Sequence, residues 1–412
     1  MSIGSAIRPR LTKVRAGAAL LGPAFVAAIA YVDPGNVATN TAAGARFGYL
    51  LVWVVVTANV MAGLVQYLSA KLGLVTGLSL PEAVRDRLST PARLTYWAQA
   101  EIVAMATDLA EVLGGAIALN LLFGLPLLVG GLITGGVSTA LLIVQDRAGQ
   151  RPFERVITGL LLVIAIGFAA GLFVSPPSGE GVVGGLVPRF AGPESVLLAA
   201  GMLGATVMPH AVYLHSALAR DRHGRQTGRP LGRLLFATRF DVGIAMVFAG
   251  AVNLAMLLLA TTALSGMDDV DTLAGVHSAI SDHLGAGTAL LFAIGLLASG
   301  FASTSVGCYA GAVVMGGLLK RQIPLLARRL LTLVPAVALL AAGVNPTWAL
   351  VLSQVVLSFG IPFALVPLVR LTSRRSLMGE NVNRRATTVF AWVIAGAVIA
   401  LNLALVYLTV AG

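Results

Sequence analysis

The sequence predicts an all-α membrane protein with eleven transmembrane helices, from its composition, its apolar segments and the placement of its basic residues. Of 412 residues, 57% are hydrophobic and 11% are charged, whereas soluble domains carry about 25% charged residues. A soluble core of this size needs a charged shell that this chain cannot supply. We therefore expect most of its surface to face lipid. The one cysteine, Cys308, excludes a disulfide framework.

Eleven apolar segments are long enough to cross a bilayer, which takes about 20 residues in a helix. None shows the sustained alternation of a membrane β-strand. The basic segment at the N-terminus lacks a small-residue cleavage site, so we expect an uncleaved first helix. The predicted spans are 18–44, 48–73, 94–123, 125–145, 154–174, 193–219, 239–264, 286–318, 328–344, 347–371 and 386–410.

The basic residues support this count and fix an orientation. If the N-terminus is cytoplasmic and the chain crosses eleven times, 26 of the 28 Lys and Arg residues lie inside, and Arg46 and Arg189 lie outside. Cytoplasmic loops are enriched in Lys and Arg, so we expect the C-terminus outside. The net charge of +11 then needs no nucleic acid, because the basic residues lie in short loops, of which 220–239 is the most hydrophilic.

The first span contains a polar interruption at Asp33-Pro34-Gly35-Asn36. A carboxylate near the bilayer centre costs about 3 kcal/mol or more and is a functional-site hypothesis by default. Pro34 removes a backbone donor and Gly35 relaxes the chain, so we expect the helix to break here. The break frees carbonyls, such as that of Ala30, to bind an ion beside Asp33 and Asn36. The alternative is a kink around a hydrogen-bonded structural Asp.

The sixth span breaks in a similar way at Met208-Pro209-His210. The sixth span comes five spans after the first, so the chain divides into spans 1–5 and 6–10 followed by an extra eleventh. Paired discontinuous helices in corresponding positions of two halves indicate a transport site near the bilayer midplane.

The ligand types around the two breaks indicate a transition metal. Asp33 offers an anionic oxygen, Asn36 and free carbonyls offer neutral oxygens, and Met208 offers a thioether sulfur. Mg²⁺ and Ca²⁺ prefer all-oxygen shells, whereas sulfur favours softer first-row and heavier divalent ions. A buried Met most often fills a core, but its place at a helix break favours ligation.

The third span carries three acids, Glu101, Asp108 and Glu111, inside an apolar stretch. At about 100° per residue they share one helix face. Buried carboxylates need protons or cations, and Arg328 and Arg329, at the start of the ninth span, are candidate counter-charges for the inner end of this face. The face is either a proton relay or a structural ion-pair network.

His210 lies two residues after Met208. Histidine side chains in general can titrate near neutral pH, so metal ligation and proton handling are both open, beside a simple hydrogen-bonding role. Its position at the break favours a role with protons. His215, further along the same span, is expected to be structural.

These motifs together resemble the Nramp metal-ion transporters of the bacterial manganese type, over essentially the whole chain. The resemblance is carried by DPGN in the first span, ATVMPH in the sixth, the acidic face of the third and SQVVLSFGIPF in the tenth. It implies a leucine-transporter-like fold with two inverted five-helix repeats, at 18–174 and 193–371, and an additional helix at 386–410. It further implies a single polytopic domain, 1–412, that imports Mn²⁺, and often Fe²⁺ and related ions, with protons across the cytoplasmic membrane.

The resemblance also assigns roles by position, with metal and protons as substrates and no cofactor. The implied metal site comprises the carbonyls of Ala30 and Ala205 and the side chains of Asp33, Asn36, Met208 and Gln354, the last joining on occlusion. The implied proton network comprises Asp33, His210, Glu101, Asp108, Glu111, Arg328 and Arg329. In the eighth span the chain departs from the family pattern, since Phe301 and Ala312 replace Gln residues and Gly316 replaces a Glu. The departure bears on gating and coupling, because that span does not supply the main metal ligands.

Three alternative functions have weaker support. A Mg²⁺-carrying relative needs an all-oxygen site, which Met208 disfavours. A sodium-coupled solute symporter of the same fold needs room for a substrate carboxylate, which Asp33 would repel. A membrane enzyme or receptor is disfavoured because no HExxH or GxSxG motif appears, and no GxxxxGK[ST] loop is present for ATP-driven pumping. We therefore expect a transporter that is not an enzyme, without a nucleic-acid or obligate protein partner.

Overall fold

A computed structural model describes residues 23–148, 150–224, 228–265, 267, 272–320 and 324–411, and these residues contain helices and no β-strand. The predicted basic N-terminal signal and residues 18–22 of the first predicted span lie outside them. Labelled in chain order, the helices are α1 (Pro23–Ile29), α2 (Pro34–Phe47), α3 (Val52–Thr76), α4 (Leu80–Arg85), α5 (Thr90–Phe123), α6 (Leu127–Ala148), α7 (Gln150–Val174), α8 (Gly179–Gly184), α9 (Gly192–Thr206), α10 (Pro209–His223), α11 (Gly228–Leu264), α12 (Leu273–Leu284), α13 (Ala286–Leu319), α14 (Leu325–Ala341), α15 (Pro346–Thr372), α16 (Arg375–Met378) and α17 (Arg385–Ala411).

The helices follow the predicted apolar segments. The first segment holds α1 and α2, the sixth holds α9 and α10, and each of the others holds one long helix. Within the described parts of the chain, eight helical stretches are long and apolar enough to cross a membrane, with α2 and α3 counting as one stretch and α9 and α10 as another. The all-α membrane class is therefore confirmed. The short helices α4, α8, α12 and α16 lie between the predicted spans. They are too short to cross a bilayer, so the prediction of apolar spans does not include them.

The prediction for the seventh span was wrong at its start. It placed the helix at 239–264, with a hydrophilic loop before it, but α11 begins at Gly228. Leu231, Leu234 and Leu235 recur at helical spacing and are buried in a small cluster with Ala70, Leu74 and Ala219. This apolar face continues the helix past the membrane segment, while Arg residues occupy its other faces. The ninth span is shifted in a similar way, since α14 lies three residues earlier than predicted.

Proline and glycine set several helix ends. Pro34, Pro209 and Pro346 occupy the first position of α2, α10 and α15, where the missing N–H has no intrahelical partner to lose. Gly77 and Gly124 end α3 and α5 in the left-handed conformation, with φ of 71° and 65°. Two of these helices, α2 at Pro34 and α10 at Pro209, begin in the middle of a predicted membrane span.

Helices α5 and α13 pack against each other at the centre of the bundle. Their backbones nearly touch, because a β-carbon at Gly300 of α13 would stand 2.9 Å from the Gly115 Cα of α5. Small residues permit this close approach of helices in lipid. The outer helices α7 and α17 instead expose apolar side chains such as Ile166, Phe173 and Val389, as expected for a lipid-facing surface.

Candidate functional site

The first helix break is centred on Asp33. Helix α1 passes into a 3₁₀ turn at Ala30–Val32, Asp33 is extended with φ −77° and ψ 171°, and α2 starts at Pro34. Asp33 caps α2, since its Oδ1 accepts the Asn36 N–H at 2.7 Å. The carboxylate therefore lies at the positive end of the α2 dipole, a favourable place for a negative charge.

Two side chains satisfy backbone carbonyls that the break leaves open. Asn253 Nδ2 of α11 donates to the Tyr31 carbonyl at 2.6 Å, and Ser299 Oγ of α13 donates to the Val32 carbonyl at 2.6 Å. Asn40 Nδ2 donates to Asn253 Oδ1 at 2.8 Å and orients that amide. The sequence alone does not predict the roles of Asn253 and Ser299. Their only signal was a polar residue inside an apolar span.

The second break faces the first. Helix α9 ends at Thr206, Met208 is extended with φ −63° and ψ 121°, and α10 starts at Pro209. Asn36 Nδ2 of the first break donates to Thr206 Oγ1 of the second at 3.4 Å. The structure therefore brings together two interruptions that lie some 170 residues apart in the chain.

The remaining predicted ligands surround these two breaks. Gln354 of α15 packs directly on Gly35, where a β-carbon would overlap its amide. Ala205 lies in the last turn of α9, whose carbonyls lack helical partners. Ala30 lies in the 3₁₀ turn before Asp33. All of the predicted ligands are at most 1% exposed: Ala30, Asp33, Asn36, Ala205, Met208 and Gln354.

The site contains buried acceptors without donors. Asp33 Oδ2, Asn36 Oδ1 and Gln354 Oε1 have no hydrogen-bond partner among the described residues. Buried polar atoms in folded proteins are nearly always partnered, so these oxygens suit a cation. No three His, Cys, Asp or Glu side chains converge on one point in the described parts of the chain. A cation held here would meet one carboxylate and otherwise neutral donors.

The acidic face of α5 meets the two predicted arginines of α14. Arg328 Nη2 lies 2.8 Å from Glu101 Oε1, and Arg329 forms an ion pair with Asp108. Both arginines are nearly fully buried, at 2% and 1% exposure. Glu111 is fully buried and turns towards α13, where a β-carbon at Gly307 would stand 2.7 Å from its Oε2. Glu101 and Asp108 therefore lie against α14, whereas Glu111 lies against α13.

His210 connects the second break to the acidic helix. Its Nδ1 lies 3.2 Å from Thr107 Oγ1, next to Asp108 on α5, while its Nε2 has no partner among the described residues. His215 has a different environment, with Nδ1 2.7 Å from Gln66 Oε1. His210 is therefore the histidine placed between the two candidate regions.

The three departures in the eighth span lie away from this site. Phe301, Ala312 and Gly316 of α13 are half-buried. The opposite, fully buried face carries Ser299, which holds the first break, and Gly307, which contacts Glu111. The departures therefore leave the contacts of the breaks and of the acidic face intact.

Comparison with known proteins agrees with these features. A family model described as natural resistance-associated macrophage protein-like matches residues 24–408. The divalent metal cation transporter MntH of Mycobacterium tuberculosis is 63% identical over 411 residues, which cover 100% of this chain and 96% of that protein. The Eremococcus coleocola manganese transporter superimposes with a TM-score of 0.84 at 32% identity, over 93% of this chain and 85% of that one. A nucleobase-cation-symport-1 family transporter is similar in fold alone, with a TM-score of 0.62 at 16% identity over 95% of this chain and 90% of that one.

The buried ion pair of Asp108 and Arg329 leads to a stability prediction. Arg329→Gln should destabilise the protein by about 3–5 kcal/mol, because it leaves a buried carboxylate uncompensated. The double variant Asp108→Asn with Arg329→Gln should recover much of that loss. Thermal unfolding in detergent measures both. A double variant no more stable than Arg329→Gln would contradict this account of the pair.

Proposed function

This chain belongs to the natural resistance-associated macrophage protein (Nramp) family, and we propose on that premise that it imports Mn²⁺ and related transition-metal ions together with protons. It is a multi-pass membrane transporter of divalent metal cations and not an enzyme. The metal and the proton are its substrates, and we assign it no cofactor. The observation that carries the proposal is the meeting of two helix breaks around Asp33, a fully buried carboxylate with one unpartnered oxygen.

The donors at the breaks support a transition metal as the cargo. Asp33 would supply charge, the Asn36 and Gln354 carbonyl oxygens would supply neutral ligands, and Met208 would supply sulfur. The backbone carbonyls of Ala30 and Ala205 lie at the ends of the two half-helices and would complete the set. Sulfur in this shell would favour Mn²⁺, Fe²⁺ and heavier ions over Mg²⁺ and Ca²⁺.

The same premise supports a finer architecture. We infer eleven crossings in one polytopic domain, with inverted repeats at 18–174 and 193–371 and an additional helix at 386–410. The likeness to transporters of this fold and the matching places of the two breaks support this inference. The distribution of Lys and Arg supports a cytoplasmic N-terminus and an outside C-terminus in the cytoplasmic membrane.

A proton route can be proposed along α5. Asp33 would exchange a proton for the metal, because a carboxylate must lose its proton to bind a cation. His210 would connect the break to α5 through Thr107. From there exposure rises along the acidic face, from 0% at Glu111 and 2% at Asp108 to a half-buried Glu101. Arg328 and Arg329 would contact the two outer acids and hold their side chains in place along this face.

The charge of Asp33 should be essential for uptake. Asp33→Asn should lower Mn²⁺ uptake into proteoliposomes by roughly 100-fold or more, since losing even a residue behind the ligands costs about 10–100-fold. Asp282→Asn, an exposed carboxylate on α12, is the matched control and should transport normally. Wild-type uptake by Asp33→Asn would exclude Asp33 as the metal ligand.

The sulfur of Met208 should govern selectivity. Met208→Ala should retain measurable Mn²⁺ uptake, while competition by Mg²⁺ or Ca²⁺ should strengthen by about tenfold, or 1.4 kcal/mol. Met202→Ala is the matched control, because Met202 is equally buried on α9 before the break. Unchanged competition in the Met208 variant would remove its sulfur from the selectivity mechanism.

Asp108 should carry protons rather than only pair with Arg329. Asp108→Asn should reduce metal-driven proton influx by roughly tenfold or more, since a positioned proton carrier contributes about 100-fold to transfer. The variant leaves Arg329 unpaired, so the double variant with Arg329→Gln is measured beside it with a pH dye inside proteoliposomes. Wild-type proton influx in both variants would mean that the α5 acids form a structural ion-pair network and do not carry protons.

A further inference from the structure

A basic pocket lies at the end of the bundle that holds the basic loops, and none of the predicted metal ligands lines it. It has a volume of about 420 Å³ and lies between α3, the start of α11 and the segment that leads into α17. Lys71, Arg239 and Arg384 line it, together with one acid, Glu380. Three cations against one carboxylate leave a net charge that favours an anion. The same charge would repel a departing metal ion, so this pocket is unsuited to the transport path.

Two cations of this basic pocket contact neutral groups of the protein. Lys71 is only 7% exposed, and its Nζ donates to Asn383 Oδ1 at 2.8 Å. Arg239 lies over the ring of Tyr67, with 5.0 Å from Cζ to the centroid. None of the pocket's three cations forms an ion pair with a carboxylate in the described parts of the chain. A largely buried and unpaired ammonium is costly, so an external anion would stabilise it.

An apolar groove adjoins the basic pocket and shares Arg239 with it. The groove has a volume of about 640 Å³ and follows α11 along Phe240, Gly243, Ile244, Val247 and Ala251. These positions recur at helical spacing on one face that is exposed to the bilayer. At 1.5 Å per residue, the groove extends about 18 Å from Arg239 to Ala251, a little more than half of the roughly 30 Å hydrocarbon thickness.

We propose that the basic pocket and the apolar groove together form a binding site for one anionic phospholipid. The phosphate would contact Lys71, Arg239 and Arg384, and one acyl chain would lie along the groove. Basic pockets between membrane helices are known to take anionic headgroups. A free phosphate would neutralise the basic pocket but would not occupy the apolar groove. A phospholipid would occupy both, and the length of the groove matches about one leaflet. The bound lipid would join α3, α11 and the segment before α17.

The two halves of the site can be tested separately. The double variant Arg239→Gln with Arg384→Gln weakens the headgroup contacts, and Gly243→Leu fills the groove. A β-carbon at Gly243 meets nothing within 4 Å, so the substitution should not disturb packing. The matched controls are Arg374→Gln with Arg375→Gln, which are exposed outside the pocket, and Gly159→Leu, an exposed and equally open glycine on α7.

Native mass spectrometry of the delipidated full-length protein in neutral detergent measures binding of phosphatidylglycerol, phosphatidylcholine and inorganic phosphate. We expect phosphatidylglycerol to bind at least about tenfold more tightly than phosphatidylcholine. The double Arg variant should weaken phosphatidylglycerol binding by roughly 25-fold, since each cation near an anionic headgroup contributes about a factor of five. Gly243→Leu should weaken it by roughly tenfold, because it removes the space for the acyl chain. Both controls should bind as the wild type does. Equal binding of the two lipids would overturn the proposal. So would inorganic phosphate that binds as tightly as the lipid and is insensitive to Gly243→Leu, because the pocket would then be a free-anion site.

Discussion

The hydrogen bond from the Asn36 N–H to the Asp33 carboxylate is the interaction around which the rest of the bundle is arranged. A helix that breaks within a bilayer leaves backbone groups that no water can satisfy, so each must find a partner inside the protein. The N–H side is satisfied by Asp33 itself. The carbonyl side needs Asn253 from α11 and Ser299 from α13, which must therefore lie against the break. The cap and these two donors together hold α11 and α13 against the break.

The charges of the centre are distributed unevenly, and this unevenness suits a carrier. Asp108 and Glu101 each have an arginine partner, whereas Asp33 has no cationic partner among the described residues and keeps one oxygen without a donor there. A buried carboxylate in that condition is stabilised by any cation that reaches it, whether a proton or a metal ion. The neutral amides of Asn36 and Gln354 add ligands without adding charge. The site can therefore release its cargo, because one negative charge does not bind a divalent ion irreversibly.

The class of the protein could be predicted from the sequence, and so could the site residues that are unusual inside an apolar span. Asp33 and Met208 stood out because a carboxylate and a helix-breaking proline are costly in an apolar span. The ion pairs between the α5 acids and the α14 arginines were also predictable from the sequence, since buried acids need cationic partners. Asn253, Ser299 and Thr107 were not, because a single amide or hydroxyl in a helix carries no pattern and acquires a role only when a distant backbone approaches it. The long start of α11 was missed for a related reason: its apolar face packs on α3 and α10, which hydropathy does not reveal.

The contact between Pro34 and Gly114 has a mechanical consequence. The Pro34 ring packs directly on α5, where a β-carbon at Gly114 would overlap it. A carrier that alternately opens to each side of the membrane must divide its helices into a moving and a resting body. Here Pro34 and α5 either belong to the same body, or the boundary between the two bodies passes between the Pro34 ring and the backbone of Gly114. In the first case the ion pairs of α5 travel with the metal site. In the second, the ring slides over a surface that has no side chain to obstruct it.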